Sequence, residues 1–272
     1  MLTGSLIAEG DGFAIAEVRC DGGRASFDGP QQECSHVLVA VRHGAFVRRV
    51  DGEEVLADST VAYLSAPGVV EQFAHPVAGG DVCTAIHLSP LLLADLAGGD
   101  PFVTSLALPI DADGELALRQ LTVLARRGDV SGLLAEHLVR TLTSLLARRY
   151  PGRVASGRPT TALARRRMVN QARAAMLADP GIGLIELATH LACSPHHLSR
   201  VFKQLTGVSI SHYRNRQRVS RALDRIALGD TNLAGLAHEL GFSDHAHLTR
   251  TVRAFTGHTP TGCRAMLTTG RL

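Results

Sequence analysis

Two stretches of the 272-residue chain carry nearly the same side chains in the same order, "HLSRVFKQLTG" from His197 to Gly207 and "HLTRTVRAFTG" from His247 to Gly257. Wound as helices, each divides cleanly. Leu198, Val201, Phe202 and Leu205 fall on one face of the first, and Leu248, Val252 and Phe255 on one face of the second. The opposite faces carry His196, Ser199, Arg200 and Lys203, and His245, Ala246, Thr249, Arg250 and Arg253. An apolar back and a front of Arg, His and Ser is the division a helix needs to lie in the major groove of DNA, where base edges offer donors and acceptors.

A second set of residue types invites metal chemistry. His36, His43, His75 and His87 accompany Cys34 and Cys83, and the spacings Cys34-x-His36 and Cys83-x3-His87 suit soft or borderline ions. The spacing is loose, and the competing reading, strand histidines beside buried thiols, is the expected one. Cys20, Cys34 and Cys83 are also candidates for redox sensing, although nothing in the sequence marks a lowered thiol pKa.

The elements that must position the doubled helix repeat as well. "LIELATHLACS" (184–194) and "LAGLAHELGFS" (233–243) are each an amphipathic helix followed by a short turn, so each half reads as a helix-turn-helix unit. Ser194 suits an N-cap and Pro195 a first helical position; Ser243 or Asp244 suits the second cap. The connector 209–229 predicts about twenty helical residues, roughly 30 Å long. One turn of B-DNA is about 34 Å, so a rigid connector sets two readers in successive grooves. Helical repeats that bind protein have shorter periods and usually three or more copies.

Upstream, "HVLVAV" (36–41), "AFVRRV" (45–50), "TVAYLS" (60–65) and "VCTAIHL" (82–88) read as strands of a small barrel or sandwich. Residues 114–128 and 131–150 read as helices, the second with an apolar stripe of Leu134, Leu138, Thr141, Leu142, Leu145 and Leu146. That stripe either packs on the strands or, through Leu134, Leu138, Leu142 and Leu145, forms a dimer seam. "PGRVASGRPTT" (151–161) reads as a linker, and 162–180 as a helix ending at Pro180.

Charge divides unevenly. Residues 164–272 hold 15 Lys and Arg against 6 Asp and Glu, and the remaining 163 hold 13 against 19. A basic half points to a polyanionic partner. The amino terminus has no signal-peptide pattern and no stretch is apolar for the ~20 residues a membrane span needs, so a soluble cytoplasmic protein without a membrane partner is expected. The five cysteines are odd in number and scattered, which suits reduced thiols.

Residues 165–267 resemble the AraC/XylS family of bacterial transcription regulators. The resemblance rests on "LACSPHHLSRVFKQLTGVSISHYRNRQRVSRA", on "LAHELGFSDHAHLTRTVRAFTGHTP", and on the spacing Gly207-x5-Tyr213-x4-Arg218-x3-Ala222. Cys263 stands where the family usually has an aromatic residue, which implies a less firmly anchored last helix, and Leu248 and Val252 stand where Phe is frequent. By position, the resemblance implies base contacts from His196, Ser199 and Arg200 in the first unit and from His245, Ala246 and Arg250 in the second. It implies phosphate contacts from His197, Lys203, His247, Thr249 and Arg253. Arginine suits the O6 and N7 edge of guanine, and Ala246 offers only an apolar contact. Tyr213 and Arg218 would tie the connector to the first unit.

Residues 48–76 are similar to the cupin-type sensor barrel of the same family. The implied fold is a two-domain α+β protein: a cupin-like effector-sensing and dimerisation domain (1–150) with trailing helices, a linker (151–161), and an all-α DNA-binding domain (162–272). The implied protein is a homodimeric activator that binds promoter DNA and RNA polymerase and answers to a small effector. It is not an enzyme and needs no cofactor. A metal- or thiol-responsive regulator and a cupin enzyme are the alternatives; the HxH pair followed by Glu that such an enzyme would carry is absent.

Overall fold

A computed structural model describes residues 2–22, 26–98, 105–128, 132–147 and 159–269. Ten strands come first: β1 (Leu2–Gly10), β2 (Phe13–Cys20), β3 (Gln31–Gln32), β4 (His36–His43), β5 (Phe46–Val50), β6 (Glu53–Ala57), β7 (Val61–Ser65), β8 (Val70–Ala74), β9 (Asp81–Leu88) and β10 (Ser105–Pro109). Helix α1 (Pro90–Ala97) precedes β10, and α2 (Ala112–Arg126) and α3 (Leu133–Ala147) follow it. The rest is helical: α4 (Pro159–Ala178), α5 (Leu184–His190), α6 (Pro195–Thr206), α7 (Ile210–Ala227), α8 (Leu233–Glu239), α9 (His245–Thr256) and α10 (Pro260–Thr269).

The strands form two antiparallel sheets, β1-β2-β9-β4-β7-β10 and β3-β8-β5-β6. No ladder among the described residues joins them, so the expected barrel is here a stack of two sheets with helices on its outer side. Strand β4 shows why. Leu38 and Ala40 face the helices with Ile15, Leu64 and Ile86. Val37, Val39 and Val41 face the smaller sheet with Phe46, Tyr63 and Cys83. A strand buried on both sides needs an unbroken apolar run, and "HVLVAV" is one.

Helix α3 corrects the seam reading. Leu134, Leu138, Leu142 and Leu145 lie in the core against the larger sheet and α2, with at most 6% of their surface exposed. They are buried within a single chain, so no partner reaches them. The periodicity had shown one apolar face without showing what covers it.

The helical part holds two cores. The first gathers Val169, Ala172 and Met176 of α4 with Leu187, Leu198, Val201, Phe202, Ile210 and Tyr213. The second gathers Val219, Leu223 and Ile226 of α7 with Leu236, Phe242, Leu248, Val252, Cys263 and Leu267, and it also takes Leu116 from α2. Leu205 lies outside the first core at 40% exposure, unlike the sequence expectation. Cys263 is fully buried, so the small thiol does anchor α10. Helix α4 begins at Pro159, inside the segment read as linker; residues 151–158 of that segment lie outside the described residues.

Candidate nucleic-acid interface

Helices α6 and α9 are each twelve residues long and are built alike. Ser194 caps α6 by accepting a hydrogen bond from the His197 amide, with Pro195 at the first turn. Asp244, rather than Ser243, caps α9 by accepting from the His247 amide at 2.6 Å. Each helix ends on a glycine with positive φ, Gly207 at 79° and Gly257 at 70°, a conformation that spares the chain a Cβ clash as it turns. Helix α7 spans eighteen residues between the units, about 27 Å at ~1.5 Å per residue.

The fronts are open where the sequence put them. His196, Arg200 and Lys203 are exposed and His197 and Ser199 half-buried. His245, Ala246, Arg250 and Arg253 are exposed and Thr249 half-buried. His247, the expected phosphate contact, is half-buried. Its ring packs edge-on against Phe242 at 5.3 Å and its Nδ1 lies 3.1 Å from the Ser243 hydroxyl, so it braces the turn.

The opposite stripe of α7 is held by the sheet domain. Tyr213, Arg216, Gln217, Ser220 and Asp224 recur at helical spacing, and each has a partner there. The Tyr213 hydroxyl donates to Asp58 at 2.5 Å, and Arg173 of α4 reaches the same carboxylate at 2.6 Å. Glu115 of α2 accepts from Arg119, Arg216 and Ser220, while Arg119 also donates to Asp224 and to the Arg42 carbonyl. Ser59 donates to Gln217 at 3.3 Å. Tyr213 also meets Phe202 ring to ring, so it ties the connector to the first unit as expected and to Asp58 besides.

These contacts change the reading of the charge asymmetry. Arg166 pairs with Glu53, Arg173 with Asp58 and Arg216 with Glu115, all across the two halves. Part of the basic excess therefore neutralises acids of the same chain, and only the remainder faces outward. Asp58, Glu115, Arg119, Arg173 and Arg216 escaped sequence analysis. The usable signal was charge inside apolar runs, as in Glu115 and Arg119 four apart among Leu116, Leu118 and Leu121.

Burial alone would raise the Asp58 carboxyl, but the Arg173 charge and hydrogen bonds from Thr60 and Tyr213 outweigh it and hold the pKa below 3.8. Asp224, facing Arg119 and His43, is lowered in the same sense. A carboxylate with a depressed folded pKa contributes stability above its unfolded value and loses it as pH falls through the folded one. The contact between the halves is therefore expected to hold at neutral pH and to weaken as pH falls below about 4. Unfolding midpoints measured from pH 7 downward should show this acid limb, and Asp58→Asn should flatten it. An unchanged limb would remove Asp58 from the account.

Cys34, His36, Cys83 and His87, the spaced metal candidates of the sequence, do not converge. On β4, His36 lies on the opposite face from Val37, which pairs with His87. His87 Nδ1 lies 2.9 Å from the Ser35 hydroxyl, the exposed Cys34 thiol points to the Gln32 carbonyl, and Cys83 is buried beside Asp81. Burial, with Asp81 adding to it, pushes the Cys83 thiol well above its usual range, which removes the thiolate a redox sensor needs.

A family model described as a helix-turn-helix domain matches residues 187–266, which takes in both units and the connector. The arabinose operon regulatory protein of Escherichia coli (strain K12) is 32% identical over 89 residues, covering 33% of this chain and 30% of that protein. Residues 187–266 of this chain form a helix-turn-helix domain. The regulatory protein PocR of Salmonella typhimurium is 30% identical over 84 residues, covering 31% of this chain and 28% of that protein. The chain thus spans about a third of the length of the curated relatives it matches. Among solved structures, ToxT from Vibrio cholerae O395 is similar over 95% of this chain and 99% of its own, at 12% identity and a TM-score of 0.39. A transcriptional regulator from Chromobacterium violaceum, described as having an AraC-type DNA-binding domain, is 25% identical over 37% of this chain and 92% of its own, at a TM-score of 0.36. Among the described residues no helix is long and apolar enough to cross a membrane.

Proposed function

We propose that this chain is a sequence-specific, DNA-binding transcription activator whose two units read successive major grooves of promoter DNA under the control of the sheet domain. One observation carries the reading. Arg200 and Arg250 stand fifty residues apart at matching positions on two equally capped, outward-facing helices, and a single helix joins the units. Arg200 with His196 and Ser199, and Arg250 with His245 and Ala246, contact bases; Lys203, Arg253, Thr249 and His197 contact phosphate.

In this reading the cupin-like sheet domain (1–150) senses a small effector, and the AraC-type domain (162–272) binds DNA as part of a homodimer that engages RNA polymerase. The sheet domain grips α7 through Asp58 and Glu115 and leaves both reading faces open. An effector that shifts α2 or the turn after β6 would change how firmly the connector is held, and so the population able to span both grooves. The dimer contact uses a surface other than the four buried leucines of α3.

The test is selection of genomic fragments by the purified full-length protein at near-physiological salt. The expected outcome is an enriched motif with two blocks about ten base pairs apart. Salt-sensitive binding with no enriched motif would mean that the helices are basic but do not read bases.

A further inference from the structure

The strand register brings together three residues that the sequence keeps far apart. Cys20, the last residue of β2, pairs directly with Asp81, the first of β9. Directly paired residues project to the same side of a sheet, and for this pair that is the side of Val18 and Cys83, facing the smaller sheet. His75 follows the end of β8 in that smaller sheet. One ligand atom each from Cys20, His75 and Asp81 lies within 4.8 Å of the other two.

Asp81 supplies an independent sign that something belongs between them. Its side chain is 4% exposed, and its Oδ2 has no hydrogen-bond donor. The other oxygen, Oδ1, takes the Cys83 thiol at 3.4 Å. His75 Nε2 stands only 3.1 Å from Oδ2, yet the two are not aligned for a hydrogen bond. A buried carboxylate oxygen with no donor is costly, so the group calls for an ion to complete it.

The backbone is shaped to hold the three in place. Gly80, at φ 73°, lies where a Cβ would come within 2.1 Å of the Cys20 carbonyl oxygen. Gly44, at φ 75°, lies where a Cβ would come within 2.1 Å of the Gly80 carbonyl oxygen. Only glycine lets these strand ends close on one another.

We propose that Cys20, His75 and Asp81 form a zinc site joining the two sheets. One sulfur, one nitrogen and one oxygen suit a borderline ion, and three protein ligands leave a fourth tetrahedral position for water. Zinc bonds of about 2.0–2.3 Å put tetrahedral ligand atoms roughly 3.3–3.7 Å apart, within the 4.8 Å that spans these three. Cys83 supports the site by donating to the carboxylate oxygen that the ion does not take. The ion would also fix the segment after His75. There Val77 packs with Leu177 of α4, and Val77, Ala78 and Gly80 line a crevice of about 70 Å³ opposite Gln217, Arg221 and Asp224. The site does not depend on what the helical domain reads.

The test uses full-length protein freed of any affinity tag, loaded with zinc and then passed over a weak chelator. Wild type should keep one zinc per chain, and so should Cys34→Ser, which removes an exposed thiol outside the site. Cys20→Ser and His75→Gln should each lower retained zinc at least about tenfold. Cobalt in place of zinc should give a thiolate charge-transfer band in wild type and not in Cys20→Ser. Zinc should raise the thermal midpoint of wild type and leave that of Cys20→Ser unmoved, with circular dichroism confirming that the variant is folded. If the variants fail to fold, the wild-type zinc content and cobalt band decide alone. Wild type that keeps less than a tenth of an equivalent, shows no cobalt–thiolate band, or matches Cys20→Ser in zinc content overturns the proposal.

Discussion

Replacing Arg200 or Arg250 with alanine is expected to cost on the order of 1–3 kcal/mol of binding to the native operator and to relax preference at one base position each. Both guanidinium groups are exposed on the front of a helix whose back is buried, so neither loss should disturb folding. Lys203→Ala should behave differently. A phosphate contact carries no sequence information, so all sequences should weaken together and the dependence on salt should become shallower by about one unit. Titrations of operator and scrambled DNA at several salt concentrations separate the two patterns. Normal operator binding by both arginine variants would show that the reading faces are misplaced.

The largest effect on stability is expected at Glu115. This carboxylate is almost wholly buried and takes hydrogen bonds from Arg119, Arg216 and Ser220. Burial alone would lower the Arg119 pKa, but Asp224 and Glu115 raise it instead, so the cation stays charged inside the protein. Glu115→Leu leaves Arg216 without the carboxylate it pairs with, and leaves Arg119 to rely on Asp224. Breaking one side of a buried pair costs roughly 3–5 kcal/mol. Denaturant unfolding should show a loss of that size. Replacing Arg119 and Arg216 with Met and Asp224 with Leu in the same chain, so that no member of the cluster keeps an unpaired charge, should return most of it, because apolar side chains of similar volume often substitute for a buried ionic cluster at little cost. A loss under about 0.5 kcal/mol for Glu115→Leu alone, the size of an ordinary surface change, would show that the network does not hold the halves together.

The helical domain was legible because its signals are local. Caps, a Pro at the first turn, a Gly at the end and a doubled apolar stripe all lie within a dozen residues of one another, and α6 and α9 begin and end where those signals place them. Strands β4 and β9 were legible for the same reason. What joins distant segments was not. Asp58 and Tyr213 are 155 residues apart, and nothing around Asp58 in "LADST" separates it from a surface acid. Cys20, His75 and Asp81 meet only through strand pairing, which the sequence does not specify at residue resolution. The leucines of α3 declared a buried face, and only the three-dimensional arrangement names its neighbour.

One leucine draws a boundary that the chain connectivity does not. Leu116 belongs to α2, yet it sits among Val219, Leu223, Phe242 and Val252 in the second helix-turn-helix core. The first core takes no residue from the sheet domain. A fragment cut in the segment before α4 would therefore keep the apolar core of its first unit, though not the Asp58 contacts of Arg173 and Tyr213, and leave a hole in the core of the second. In amide exchange of such a fragment, α8 to α10 should form the less protected cooperative block, and α4 to α6 the more protected one. The unit that survives excision and the unit that depends on its neighbour lie on the same polypeptide, a few helical turns apart.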